Sequence, residues 1–170
     1  AKARHPMVHL LGTGTTPRYL LAFAATALMT TGGFMLMPFS SAFSVHNLGI
    51  SLDELPLVYL VTGVCAIFIG PIVGRLADRF GKLLVFAWGT AVSIVLVVYY
   101  THMGISPLWL VMLVKVVMFM GIFSRMIPSQ ALMSAIPSPA SRGSFMAVSS
   151  SLQQVSGGVA SLLAGLIVVE

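Results

Sequence analysis

Apolar residues fill this chain in long runs, and short polar clusters separate them. Five runs stand out, at about 18–44, 55–75, 83–101, 107–135 and 142–169. A helix needs about 20 mostly apolar residues to cross a bilayer, and each run is long enough. None shows the strict alternation of a barrel strand. Bilayer hydrocarbon offers no water to an unpaired backbone, so helix is the conformation such runs must take. The pattern predicts an all-α membrane protein with five transmembrane helices, residues 18–170, preceded by a short basic segment, residues 1–17.

Composition sharpens this. Hydrophobic residues make up 58% of the 170 and charged residues only 8%, with a mean hydropathy of +1.01. Soluble domains carry about 25% charged residues, so lipid must cover most of this surface. The net charge is +5. Its bases are scattered between apolar runs, which speaks for membrane topology and against a nucleic-acid partner. The single cysteine, Cys65, sits inside a run, excluding an internal disulfide and a cysteine metal cluster. Residues 1–10 do not form a cleavable signal, and the first run is too long for a signal core.

The bases also orient the spans. With the N-terminus in the cytoplasm, Lys2, Arg4, Arg18, Arg75, Arg79, Lys82 and Arg142 all fall on that side. The opposite side holds Asp53, Glu54 and Glu170 and no base, as the positive-inside rule requires. Tyr99, Tyr100 and Trp109 then lie at the outer interface.

Four charges are packed into the nine residues GRLADRFGK, 74–82, between the second and third runs. Gly81 permits a tight turn. Gly70 and Gly74, four apart, allow close helix approach. Asp78 suits the exposed N–H groups of a neighbouring helix N-terminus, while Arg79 and Lys82 suit anionic headgroups. A loop serving topology alone would need neither Gly74 nor Asp78 at fixed spacing.

Two spans joined by Gly74-Arg75-Leu76-Ala77-Asp78-Arg79-Phe80-Gly81-Lys82 resemble the major facilitator superfamily of secondary transporters, which has G-x-L-A-D-R-x-G-R/K between two helices on the cytoplasmic side. Leu83 departs from the pattern, where a further base is common. The resemblance implies twelve helices in two six-helix halves, with Gly74, Asp78, Arg79, Gly81 and Lys82 forming a conformational latch. Residues 1–17 look like the end of a basic central loop, and Arg142-Gly143 followed by SSSLQQVSGGVASLLAGLIV looks like helix 11 of drug and sugar efflux members. The chain is therefore similar to helices 7 to 11, most of a C-terminal half, with the N-terminal half as its missing partner and a bacterial inner membrane as its setting.

Several polar residues within the runs are candidates for a solute pathway. Val58, Thr62, Ala66, Gly70 and Gly74 form one row at spacings of four, and Ser149, Gln153, Gly157, Ser161 and Gly165 another; small residues in such rows pack helices closely. Gln153 and Gln154 need partners at that depth, from a solvated cavity or another helix. Thr26 and Thr30 share a face of the first span, which Gly32-Gly33 and Pro38 interrupt as a hinge or as packing devices. Lys115 lies eight residues past Pro107, about 12 Å inward, and Arg125 follows ten residues later, about 80° round the helix. Two such cations would be costly facing lipid and suit a protein interior or cavity, although Arg125 can instead snorkel to the cytoplasmic surface.

No carboxylate lies within a run, and there is no phosphate-binding loop, paired acid or metal-ligand spacing, so no cofactor and no enzyme activity are expected. The main reading is alternating-access efflux of a small solute, anionic or zwitterionic given Lys115 and Arg125. A sensor or anchor module of the same topology is the rival; it has no use for Lys115, Gln153 and Gln154. Five helices with an unmatched latch read as a piece of a longer protein.

Overall fold

A computed structural model describes residues 17–139 and 141–168. Residues 1–16, most of the expected basic segment, lie outside them. The described residues form helices α1 (Pro17–Leu36), α2 (Ser40–His46), α3 (Leu55–Phe80), α4 (Lys82–Thr101), α5 (Leu108–Ala135) and α6 (Arg142–Val168), with no strand among them. The all-α class stands. Four stretches, Pro17–His46, Leu55–Phe80, Lys82–Thr101 and Leu108–Ala135, are long and apolar enough to cross a membrane. The fifth expected span forms as the 27-residue α6 but falls outside that set. It is the least apolar of the five long helices, because Ser149, Ser150, Ser151, Gln153 and Gln154 interrupt its apolar residues.

The first run is broken where its chemistry requires. Pro38 has no N–H to continue the ladder. Residues 37–39 form a turn, with Met37 N–H donating to the Gly33 carbonyl and Ser40 N–H to the Met37 carbonyl. Gly32 and Gly33 stay helical, and a Cβ on either would meet nothing within 4 Å. The break thus belongs to Pro38, and neither glycine packs closely against another of the described residues.

Contacts divide the chain into two compact units. One, Ser41–Leu132, holds α2, α3, α4 and most of α5. Gly81 alone separates α3 from α4, at φ +96° and ψ 139°. That conformation is closed to ordinary L-residues and is supplied by the missing Cβ. Two apolar clusters hold this unit at opposite ends. Leu48, Ile50, Val58, Tyr100, Val111 and Val114 join the start of α3, the end of α4 and the start of α5. Ile69, Val73, Ala77 and Val85 join the end of α3 to the start of α4, with Val116, Phe123 and Ile127 of α5 against them. The three helices therefore run alternately up and down. Arg75, Arg79 and Lys82 stand at the Gly81 end, and Asp53 and Glu54 at the other.

Ser51 and Glu54 close the start of α3: the Ser51 N–H donates to a Glu54 carboxylate oxygen at 3.0 Å and its hydroxyl to the same oxygen at 2.8 Å. This is half of a capping box. The two bonds hold the Glu54 carboxyl below the usual carboxylate range.

In the second unit, α1 and α6 lie side by side. Tyr19 meets Phe145 edge-on with ring centroids 5.1 Å apart, and Phe23 stacks on Phe145 at 4.9 Å. Farther along both helices, the Phe34 ring lies 3.2 Å from where a Cβ on Gly157 would stand. Early residues meet early and late meet late, so the pair is parallel, with Arg18 and Arg142 at one end.

The predicted small-residue rows are right at one end and drift at the other. Val58 and Thr62 are buried as expected, but the buried row continues through Ile69, Val73 and Ala77 instead of Gly70 and Gly74. Among the described residues a Cβ at Gly70 or Gly74 would meet nothing within 4 Å, so neither makes a close approach to another of these helices. On α6, Ser149 and Gly157 are buried as expected, and the buried face then shifts to Ala160 and Ala164. Each step of four residues turns about 400°, so a row of fours walks about 40° round the helix per step while the buried face stays put.

Candidate functional site

The GRLADRFGK stretch, expected as a loop, is helical except at Gly81 and closes that end of the first unit. Asp78 and Arg79 are exposed, and the Arg79 guanidinium lies 5.4 Å from the centroid of the adjacent Phe80 ring. Asp78, Gly81 and Lys82 face a cleft of about 610 Å³ that Ala77, Phe80, Leu83, Leu84 and Leu132 of α5 complete. A carboxylate and an ammonium thus share an open, largely apolar cleft beside a turn that glycine fixes. Gly74 sits two turns back on α3, outside that lining.

Lys115 occupies the other end. It is 2% exposed, and its ammonium lies 5.2 Å from the Tyr59 ring centroid and 5.7 Å from that of Tyr100. A desolvated cation over an aromatic face gains roughly 2 kcal/mol, so two faces go far toward offsetting burial. Tyr100 is itself anchored: its hydroxyl and that of Ser44 are 3.1 Å apart, and its ring tilts against Phe43 at 5.0 Å. Tyr59 of α3 and Tyr100 of α4 thus face Lys115 of α5, and α2 braces Tyr100 through Phe43 and Ser44.

Arg125 has a different setting. The α4–α5 crossing brings backbones into contact at two glycines. A Cβ on Gly89 would stand 2.5 Å from the Ser124 Cβ and 3.2 Å from the Arg125 nitrogen. A Cβ on Gly121 would stand 2.7 Å from the Ser93 hydroxyl oxygen, which donates to the Gly89 carbonyl. From this crossing Arg125 reaches a groove of about 220 Å³ lined with Ser93, Ile94, Val97 and Val98 of α4. Its Nε is sealed from solvent and has no hydrogen-bond partner among the described residues.

The remaining pathway candidates lie in the second unit. Thr26 is 7% exposed and donates to the Ala22 carbonyl at 2.9 Å; Thr30 donates to the Thr26 carbonyl at 2.9 Å. Both hydroxyls are thus satisfied along their own helix, leaving their lone pairs for a partner. Gln153 is half-buried and Gln154 exposed on α6. Among the described residues no three metal-ligating side chains come together.

Some participants went unread in the sequence. Tyr100 reads in the sequence as an interfacial aromatic and Tyr59 does not stand out at all; the fold buries Tyr100 and brings both to Lys115. Gly89 and Gly121 stood outside the predicted rows. The S-x-x-E spacing of Ser51 and Glu54 was a readable signal for a helix start.

The comparisons with known proteins agree on one family. The family model for the Major Facilitator Superfamily matches residues 22–170. A stretch of 67 residues is 40% identical to part of the MFS-type efflux pump of Mycolicibacterium smegmatis, covering 39% of this chain and 16% of that protein. The match therefore spans about a sixth of the relative's length. No solved structure matches.

Proposed function

Because the chain belongs to the major facilitator superfamily, we propose that it is most of the C-terminal half of a secondary transporter that exports a small solute by alternating access. The observation that carries this is the Gly81 turn, with Asp78 exposed beside the cleft that Lys82 and Leu132 help to line. In this reading the cleft receives a helix end of the other half, and Asp78 accepts hydrogen bonds from its free N–H groups in one state of the cycle. Opening the cleft breaks those bonds, which couples the turn to rocking of the halves around a midplane site. The M. smegmatis efflux pump supports the direction of transport. The bases at the Gly81 end favour a cytoplasmic face there, in a bacterial inner membrane.

Thr26, Thr30, Gln153 and Gln154 supply neutral hydrogen-bonding groups to the path, and Lys115 biases it toward anionic or zwitterionic solutes. The test uses the full-length protein in inverted membrane vesicles, with a panel of anionic, zwitterionic and cationic solutes. Asp78→Asn should abolish energised export while leaving membrane insertion intact. Export at the wild-type rate by Asp78→Asn would sink the latch, and no energy-dependent movement of any solute would sink the function.

A further inference from the structure

We propose that Arg125 is the cationic half of an intramembrane ion pair whose carboxylate comes from an Asp or Glu on a spanning helix outside this sequence. The inference rests on the reading above that this chain is part of a larger helical assembly.

At the crossing, the Arg125 backbone is level with Gly89, seven residues from the Gly81 end of α4. The groove it lines is built from residues four to nine positions farther along α4, about 6–13 Å toward the Thr101 end. Helical side chains tilt toward their own N-terminus, and α5 begins at that same end. Arg125 therefore leans into the membrane, away from the surface to which it could snorkel. Ten residues, about 15 Å of helix, separate it from Ala135, so a lipid phosphate at the interface is out of reach.

Among the described residues, no acid stands at that depth. The chain's four acids are Asp53, Glu54, Asp78 and Glu170. Glu54 is engaged by Ser51 at the far end of the bundle, with Asp53 beside it, and Asp78 stands at the Gly81 end. Glu170 lies outside the described residues. The Ser93 hydroxyl, also at the groove, spends its proton on the Gly89 carbonyl. A guanidinium at membrane depth needs an anion or several acceptors, and its sealed Nε has neither.

Size selects the occupant. The groove holds about 220 Å³. That suits a carboxylate side chain and is small for a drug-sized solute, whose sites run from roughly 300 to 1,000 Å³. Ile94 and Val98, on its walls, are 60% and 54% exposed. They offer a bare apolar flank for the helix that carries the acid.

The test is a set of double-mutant cycles on the full-length transporter. Each Asp or Glu in its other spans is changed to Asn or Gln, alone and with Arg125→Gln, and the unfolding equilibrium is read by detergent titration. One acid should stand out: either single change should cost at least about tenfold, and the pair should return to within about threefold of the wild type. If Arg125→Gln is too unstable to purify, the yield of folded double variants reads the same coupling. Coupling to no acid would overturn the proposal. So would an Arg125→Gln variant of wild-type stability with a raised KM for the exported solute, which would make Arg125 a substrate contact. The readout is stability, so it stands whether or not Asp78→Asn blocks export.

Discussion

Gly89→Ala is the sharpest probe of how α4 and α5 are held. The added methyl would stand 2.5 Å from the Ser124 Cβ and 2.9 Å from the Ser124 carbonyl carbon. Carbon atoms rest at about 3.5–4.0 Å, so the helices must part by about 1 Å or more. No rotamer change can relieve this, because both opposing atoms are fixed to the α5 backbone. A radial gap of 0.5–1 Å forfeits about a quarter to a half of each dispersion contact along the crossing. Overpacking of this kind costs about 1–3 kcal/mol, and the rigid neighbours place Gly89→Ala near 2–3 kcal/mol. Gly121→Ala is the internal control. Its methyl would meet the Ser93 hydroxyl oxygen at 2.7 Å but no backbone atom closer than 3.5 Å. That hydroxyl can rotate away, at the cost of its bond to the Gly89 carbonyl, about 1 kcal/mol. Detergent-titrated unfolding of the full-length protein, followed by circular dichroism, should rank wild type above Gly121→Ala above Gly89→Ala. A Gly89→Ala variant as stable as wild type, or more stable than Gly121→Ala, would refute the backbone-contact reasoning.

Gly81→Ala should cost on the order of 1–3 kcal/mol in the same titration, and Gly81→Asn should not rescue it, since φ +96° with ψ 139° lies outside the left-handed helical well that asparagine tolerates. Lys115→Met should leave unfolding within about 1 kcal/mol of wild type, because a matched apolar chain replaces a buried charge at little net cost, while export of anionic solutes falls at least about tenfold; unchanged export would remove Lys115 from the pathway. Glu54 titrates below the usual carboxylate range when folded, so its contribution is full above the unfolded carboxylate pKa and is lost as pH falls through the lower folded value. Glu54→Gln should flatten the acid limb of stability against pH, and an unaltered limb would show that the Ser51 bonds do not form in the membrane.

What could be read from the sequence was local or lipid-driven. Long apolar runs force helices because the backbone has no other partner in hydrocarbon, and Pro38 and Gly81 mark breaks because each changes what its own φ can be. Seven bases ahead of the runs or at their ends favour one orientation without any tertiary information. The tight crossing could not be read in this way. Sixteen glycines offer many close approaches, and which one meets a neighbour depends on each helix's rotation, not on its own composition. Gly70 and Gly74 look like a packing pair and meet none of the described residues, while Gly89 and Gly121, 32 residues apart, make the contact. The two cations look alike in sequence. Tyr59 and Tyr100 enclose Lys115 while Arg125 stands over an apolar groove, and only the packing of α3, α4 and α5 separates their roles.

Pro128 lies inside α5, four residues beyond the Ser124 that presses on Gly89. It brings no N–H to the Ser124 carbonyl, so the helical ladder is cut one turn past the tightest point of the bundle. A rod clamped at one place and weakened just beyond it behaves as a lever on a fulcrum. The segment from Leu108 to Ser124 must move with α4, whereas the stretch past Pro128 can tilt by itself. A bend at Pro128 would let the stretch around Leu132, the α5 residue in the Asp78 cleft, move while Arg125 and Lys115 stay seated against α4.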